Sequence, residues 1–262
     1  MRNNFGFDAI GSIAILKFNE KTSSKEKKKV ACGILKKQKN IKTVLEKVEK
    51  VKGKLRTIKT KFLAGRNTKE TVHKENNCLF KLNIERCYFS PRLSEERKEV
   101  AAMIGKQDKV LVMFAGVGPF PIVIAKKKGA EVVSIELGKE CCRYARENAK
   151  LNKQVDKIKI LQGDVKKIVP KLKKQGKKFD VIVMPRPNLK ETFLKEAFSV
   201  SRKGTRIFYY CFSQEKELGS EIEKIHLAAK NKKRKIQILR VKKAGDIAPY
   251  THRWRADLRV MN

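Results

Sequence analysis

The sequence predicts an α/β protein with a mostly parallel, doubly wound sheet, preceded by a small α+β domain. After residue 89, continuous apolar runs alternate with helical segments, which is the pattern of βα units in a parallel sheet. Before it, the segments are shorter and are separated by glycine and asparagine turns, which is typical of a separate small domain. We therefore expect domains at 1–89 and 90–262.

The first domain is expected to contain one helix and several short strands. Apolar alternation over residues 7–18 predicts a strand that follows a glycine turn. A basic helix is expected from Ser23, because Val30, Ile34 and Leu35 recur at helical spacing. Shorter strand-like segments continue to Phe89.

The second domain is expected to begin with a helix over residues 93–105 and to contain five buried parallel strands. A continuous apolar run predicts the first strand at 109–114, and the repeated alternation with helices places the others at 131–136, 157–162, 179–184 and 205–212. Helices are expected between them, including one over 189–198, and another over 217–230. Two late strands, at 235–241 and 253–260, predict a closing hairpin. This is the seven-stranded arrangement of Rossmann-like methyltransferases.

The charge of the chain points to a nucleic-acid partner. In 262 residues, 64 Lys and Arg face 27 Asp and Glu, which gives a net charge of +37. Such an excess repels itself unless a polyanion is bound, and neutralising phosphates releases counterions. A generally lysine-rich composition is the alternative explanation.

The cysteine spacing and the hydropathy of the chain argue against a zinc protein and a membrane protein. None of the six cysteines forms a CxxC pair, so we expect no metal site. Cys141 and Cys142 are adjacent on an expected helix, where one thiol should be buried and the other exposed. With no long apolar run or signal peptide, we expect a cytoplasmic protein with reduced thiols and no membrane partner.

Three features at expected strand ends predict a nucleotide-like cofactor. Glycines in the segment 115–119 follow the first strand and allow a ligand to approach the backbone closely. Glu136 ends the second strand, where a carboxylate can accept both ribose hydroxyls. Asp164 and Val165 follow the third strand, where they can bind an adenine. Each acid alone is equally explained as a helix cap, but the order and spacing together predict S-adenosylmethionine.

Two motifs carry a family resemblance. They are CYFSPRLSEER at 87–97 and MFAGVGPF at 113–120, and together they resemble the archaeal and eukaryotic tRNA (guanine-37-N1)-methyltransferases. Segments 7–16, 70–84 and 148–152 are also similar to that family, so the likeness covers nearly the whole chain. It implies methylation of guanine N1 just 3′ of the anticodon in the tRNA anticodon stem-loop, and we expect a monomer.

The resemblance also implies roles for individual residues. Glu96 falls where the family has its general base, and Arg56 falls near an arginine that contacts the target base, with Arg92 as a rival. Arg253, Arg255 and Arg259 alternate on the last strand and are expected either to face RNA or to form a solvated face. The expected methyl-donor contacts are Arg97, Phe114, Ala115, Gly116, Gly118, Glu136, Leu137, Asp164 and Val165.

The sequence departs from the family in two respects. Pro185-Arg186-Pro187 stands where the family has Asn-Leu-Pro, and proline cannot replace an amide that donates and accepts hydrogen bonds. Recognition of the target base would then fall to Arg186 or Asn188. The chain is also expected to lack the family's small N-terminal domain.

Two other functions compete with guanine-N1 methylation. One is a wyosine-pathway transferase that moves a methyl or aminocarboxypropyl group at the same tRNA position. The other is a basic RNA-binding protein that has kept the fold and lost catalysis. The intact FAGVGPF loop argues against aminocarboxypropyl transfer, whereas further methylation of a modified guanine stays open. The Pro185-Arg186-Pro187 triplet keeps the RNA-binding alternative open, and intact Glu96, Arg97, Glu136 and Asp164 argue against it.

Overall fold

The computed structural model describes residues 6–48, 57–185 and 191–262. The chain forms two compact units, Met1–Pro91 and Arg92–Asn262. Arg56, Arg186 and Asn188 lie outside the described residues, so their expected roles stay predictions.

The first unit contains a four-stranded sheet covered by one helix. The sheet has the order β1-β2-β3-β4, in which only the β2–β3 pair is parallel. Helix α1 joins β2 to β3, and Ser23 begins it with a capping box that it shares with Glu26. A separate hairpin of β5 and β6 follows. The elements are β1 (Phe7–Ile10), β2 (Ile13–Leu16), α1 (Ser24–Lys37), β3 (Thr43–Lys47), β4 (Thr60–Gly65), β5 (Glu70–Glu75) and β6 (Cys78–Asn83).

The expected single strand over residues 7–18 is instead a hairpin, which turns at Gly11. Gly11 has a φ of +55°, and a Cβ built there would lie 2.3 Å from the carbonyl oxygen of Val72. Only glycine fits this close approach without strain. The apolar alternation on both sides of the turn therefore belongs to two paired strands, β1 and β2.

The second unit is an alternation of strands and helices that ends in a long hairpin. A short 3₁₀ turn at Pro91–Leu93 precedes the first helix, so the helix expected over 93–105 is shorter. Of the helix expected over 189–198, the described residues 191–193 are not helical, and the helix begins at Leu194. The elements are α2 (Ser94–Ala102), β7 (Lys109–Met113), α3 (Pro119–Lys128), β8 (Glu131–Glu136), α4 (Lys139–Leu151), β9 (Ile158–Gln162), α5 (Val165–Lys174), β10 (Phe179–Met184), α6 (Leu194–Ser199), β11 (Ser201–Ser213), α7 (Leu218–Asn231), β12 (Ile236–Ala248) and β13 (Thr251–Val260).

The seven strands form one sheet in the order β12-β13-β11-β10-β7-β8-β9. Strands β7 to β11 are parallel, and β13 runs antiparallel to both of its neighbours. The central strands are buried on both faces, as in β10, where Val181 to Met184 are fully buried. The predicted Rossmann-like fold is therefore confirmed. No helix in the described part of the chain is long and apolar enough to cross a membrane.

Candidate cofactor and catalytic site

Three loops meet at the carboxyl edge of the sheet, after β7, β8 and β9. The amide of Ala115 donates to the carbonyl of Ile135 at 3.0 Å, and the amide of Gly163 donates to the carbonyl of Glu136 at 2.8 Å. The loop after β7 ends at Gly118, which begins α3 with a φ of 86°. The structure thus brings together the three segments that the sequence assigned to a cofactor, at the edge where ligands bind in such sheets.

The Glu136 carboxylate is held by backbone amides of two of these loops. Its Oε2 accepts from Gly116 N at 2.8 Å, and its Oε1 accepts from Gly138 N at 2.7 Å. Burial raises the pKa of Glu136, and these backbone donors oppose the rise. Because a carboxylate oxygen has two lone pairs, each oxygen can accept one more hydrogen bond. These remaining acceptor positions fit a ribose, whose two adjacent hydroxyls can both donate.

Asp164, predicted as a cofactor contact after β9, has one oxygen in a helix cap and one that is available to a ligand. One carboxylate oxygen of Asp164 accepts from Lys166 N at 2.8 Å and so caps helix α5. The other oxygen has no protein partner among the described residues. Val165 is buried, whereas Leu137 is 45% exposed and offers an apolar surface that suits the face of a planar base.

Two phenylalanines with left-handed backbone lie at the same edge of the sheet. Phe114 has a φ of 59° and Phe193 a φ of 57°. Their rings meet edge to face, with centroids 4.9 Å apart. A non-glycine residue in this region costs on the order of 1–3 kcal/mol and is often found at functional sites. Phe114 was predicted to contact the methyl donor, whereas Phe193 lies in no motif that the sequence analysis identified.

Glu96 is a buried acid with three partners from three different strands. Its side chain lies in α2, and the residue is only 6% exposed. Oε1 accepts from Tyr210 Oη at 2.7 Å and from Arg255 Nη1 at 2.6 Å. Oε2 lies 3.3 Å from Lys242 Nζ. One oxygen of this carboxylate therefore accepts two hydrogen bonds, and the other faces a single lysine.

The partners of Glu96 belong to a larger buried network. Arg255 is fully buried and also pairs with Asp257 at 2.6 Å and with Glu99 at 2.9 Å. Burial alone would raise the pKa of Glu99, but Lys242 and Arg255 lower it to about 2. Burial, and then the charge of Glu96, raise the pKa of Tyr210 well above its usual value.

The prediction that arginines of the last strand face RNA or solvent is wrong for Arg253 and Arg255. Arg255 is fully buried and Arg253 is 7% exposed, with its guanidinium over the ring of Phe212. Only Arg259 is exposed. The reason is that β13 lies inside the sheet, between β11 and β12, so its alternating side chains pack on both faces.

Ring packing links the Glu96 network to the glycine loop. Phe120, in the first turn of α3, has its ring centroid 6.1 Å from that of Tyr210. Helices α2 and α3 also pack against each other, and Arg97 is buried beside Glu96 in α2. Arg92, in the 3₁₀ turn before α2, is exposed. The predicted base and the predicted cofactor loop are therefore parts of one packed arrangement.

Sequence reasoning missed a buried amide that holds the glycine loop. Asn148 in α4 is fully buried, and its Nδ2 donates to the carbonyl of Val117 at 3.0 Å. Asn148 lies in a segment that carried the resemblance, but nothing in the sequence indicated its partner.

The expectation of one exposed thiol is wrong, since Cys141 and Cys142 are both buried. Burial and the charge of Glu136 raise the pKa of Cys142 to about 12.

Comparison with known proteins identifies the family. Residues 71–239 match the family described as the TRM5/TYW2 methyltransferase domain. The chain belongs to the TRM5/TYW2 methyltransferase family. Residues 3–68 match the TYW2 N-terminal domain, so the expected lack of an N-terminal domain is not confirmed.

Two archaeal relatives match almost the whole chain. The tRNA (guanine(37)-N(1))-methyltransferase Trm5b of Pyrococcus abyssi is 36% identical over 256 residues, covering 97% of this chain and 74% of the relative. The tRNA (guanine(37)-N(1))/4-demethylwyosine(37)-methyltransferase Taw22 of Nanoarchaeum equitans is 32% identical over 299 residues, covering 96% of this chain and 98% of the relative. These names include both guanine methylation and a wyosine-pathway step.

Solved structures agree with this assignment. The crystal structure of Trm5b from Pyrococcus abyssi has a TM-score of 0.86 and 34% identity, covering 98% of this chain and 75% of that one. A complex of aTrm5 and tRNALeu has a TM-score of 0.84 and 28% identity, with coverages of 98% and 72%. TYW2 of P. horikoshii in complex with MeSAdo has a TM-score of 0.82 and 25% identity, with coverages of 98% and 90%. The prediction of a tRNA-modifying methyltransferase family that uses S-adenosylmethionine is thus confirmed.

Proposed function

We propose that this chain transfers a methyl group from S-adenosylmethionine to N1 of guanine 37 in the tRNA anticodon stem-loop. The observation that carries the proposal is Glu96, a buried acid with one oxygen fixed by two donors and the other less constrained. The names of the two archaeal relatives support the same reaction. We further propose that the segment 1–89 recognises the target and that 90–262 holds the methyl donor.

The donor site is assigned from the chemistry of its side chains. Glu136 would hold the ribose hydroxyls through its remaining lone pairs. The second Asp164 oxygen and the Val165 amide would bind the edge of the adenine, and Leu137 would cover its face. Ala115, Gly116 and Gly118 would form the wall near the methionine part, beside Phe114 and Arg97. When bound, S-adenosylmethionine supplies an activated methyl group on a sulfonium.

Glu96 would act as the general base. Guanine N1 carries a proton at neutral pH, so its lone pair becomes available only when that proton is removed. Oε1 of Glu96 already accepts two hydrogen bonds, whereas Oε2 has a single partner at 3.3 Å. Oε2 is therefore the oxygen that would accept the proton. Such proton transfer contributes typically about 10²–10⁴ in rate.

Loss of the N1 proton places negative charge on guanine O6, which an arginine would stabilise. Arg56 is the proposed residue, with the exposed Arg92 as the alternative. Arg186 or Asn188 would replace the amide that the family carries in its Asn-Leu-Pro triplet. These assignments rest on the family resemblance.

The second candidate is methylation or aminocarboxypropyl transfer at a wyosine precursor in the same tRNA position. The specific observation in its favour is Pro185-Arg186-Pro187, which removes the amide from the guanine-binding triplet. The name of the Nanoarchaeum equitans relative contains both activities.

Transfer of label from S-adenosylmethionine to defined tRNAs separates the candidates. Transcripts with G37 or A37 and a tRNA carrying 4-demethylwyosine would each be incubated with the enzyme and with S-adenosylmethionine labelled either in its methyl group or in its aminocarboxypropyl group, and the labelled nucleoside identified. Label in 1-methylguanine with the G37 transcript alone is the expected result. Label only in the wyosine precursor would assign the second function. RNA binding with little donor binding, and without transfer to any RNA, would indicate a basic RNA-binding protein that has lost catalysis. In an active enzyme, Glu136→Ala should weaken donor binding.

A further inference from the structure

A basic groove lies at the edge of the sheet opposite to the cofactor loops. It is formed where strands β7 to β11 begin and has a volume of about 910 Å³. Its floor is apolar and includes Val132, Leu172 and Phe179. Two acids, Glu131 and Asp156, lie on its rim. Six cationic side chains surround them, namely Lys109, Lys157, Lys159, Lys177, Lys178 and Arg202.

Several of these cations have no acidic partner. Within the described residues, the side chains of Lys157, Lys159 and Lys177 form no hydrogen bond or ion pair, and all three are exposed. Lys178 is partly occupied, because its ammonium donates to the carbonyls of Ser199 and Ser201. Clustered like charges without counterparts repel one another unless an anion neutralises them.

Positive charge is also in excess around Lys178, where the groove meets the start of β10. Burial, and then the charges of Arg234 and Lys173, lower the pKa of Lys178. Arg202 is paired with Asp180, so one cation of the rim is already compensated. The remaining positive potential is therefore concentrated on the lysines of the groove.

We propose that this groove binds the phosphodiester backbone of RNA, separately from the site of methyl transfer. The lysines lie at the starts of β10, β7 and β9, and β10 is three strand spacings from β9. This distance is roughly 14 Å, since neighbouring strands lie about 4.8 Å apart. One phosphate cannot neutralise charges spread over that distance, whereas consecutive backbone phosphates can.

Two simpler explanations apply to single lysines but not to the set. Lys159 lies on the edge strand β9, where lysine discourages pairing with other chains. A lysine in the last turn of a helix favours its negative end, as Lys157 does in the short 3₁₀ turn Val155–Lys157 before β9. Lys177 lies in the loop before β10, outside both situations.

The test compares two variants with the same change in charge. The groove variant is Lys157→Gln/Lys159→Gln/Lys177→Gln. The control is Lys167→Gln/Lys171→Gln/Lys174→Gln, which removes three exposed lysines from α5 in the same unit but outside the groove. Binding of full-length tRNA is measured at several KCl concentrations, because each lost phosphate contact lowers the slope of log K against log salt by about 0.7–0.9.

We expect the slope to fall by roughly 2 in the groove variant and by much less in the control. A fall of the same size in both variants would mean that only the general charge matters and would overturn the proposal. So would an unchanged slope in the groove variant.

Methylation kinetics show whether the RNA in the groove is the tRNA substrate or a second RNA molecule. If the groove holds the substrate outside its anticodon loop, the KM for full-length tRNA rises while that for an isolated anticodon stem-loop does not. If it holds a second RNA molecule beside the substrate, the salt slope falls for tRNA and for a non-substrate RNA alike, and neither KM changes. Either result supports the groove. Because the binding measurement requires no methyl transfer, failure of the proposed reaction would remain distinguishable.

Discussion

Replacing Arg255 tests whether the buried charge network stabilises the second unit. The fully buried guanidinium pairs with Glu96, Glu99 and Asp257. Arg255→Met keeps a long apolar side chain but leaves Glu96, 6% exposed, and Asp257, 8% exposed, without their main cation. Removing one partner of a buried pair costs about 3–5 kcal/mol. In a unit of this size, each kcal/mol lowers Tm by about 2–4 °C, so the expected loss is roughly 6–20 °C.

Thermal unfolding by circular dichroism at neutral pH measures this loss. Arg259→Met is the matched control, because Arg259 lies on the same strand and is exposed. Its Tm should change by no more than a surface substitution usually allows, within about 0.5 kcal/mol. If Arg255→Met unfolds at the same temperature as the control, the ion pairs contribute nothing and the reasoning fails. A second variant, Arg255→Met/Glu96→Met, should recover part of the loss, since apolar side chains replace a buried pair with little penalty.

Two further predictions concern the glycine loop and the dependence of stability on pH. Asn148→Ala removes the hydrogen bond to the buried carbonyl of Val117 and should lower the free energy of unfolding by about 1–3 kcal/mol. Calorimetry should show weaker binding of S-adenosylmethionine, while tRNA affinity stays unchanged. Equal losses of affinity for both ligands would contradict a local role of Asn148. Glu99 has a folded pKa of about 2, below its unfolded value of 4.5, so its contribution to stability is present above pH 4.5 and is lost as pH falls toward 2. Urea unfolding across this range should show a steeper acid loss in the wild type than in Glu99→Gln, and parallel curves would contradict the assignment.

The sequence predicted best the elements that depend on burial alone. Strand β10 was predicted with the bounds that the structure shows, because its nearly continuous apolar sequence is typical of a strand buried on both faces. Strand β8 was also predicted with its observed bounds, from its place in the alternation of strands and helices. The cofactor loops were predicted from chain order, since acids and glycines at the carboxyl ends of parallel strands meet at one edge.

The partners of Glu96 could not be predicted, because they come from distant parts of the chain. Tyr210 is 114 residues away and Arg255 is 159 residues away, and nothing in the local pattern records such pairs. The alternation of basic residues in β13 gave a misleading signal, since an interior strand can bury arginine when acids on a neighbouring helix compensate it. The left-handed backbone of Phe193 likewise leaves no trace in composition or spacing.

The central claim is that Glu96 accepts the proton of guanine N1. Single-turnover methyl transfer to G37 tRNA by Glu96→Gln tests it most directly, with donor affinity and Tm measured on the same preparation. The account predicts a fall in rate of about 10²–10⁴ with donor affinity preserved. A folded Glu96→Gln variant that transfers methyl at nearly the wild-type rate would contradict it.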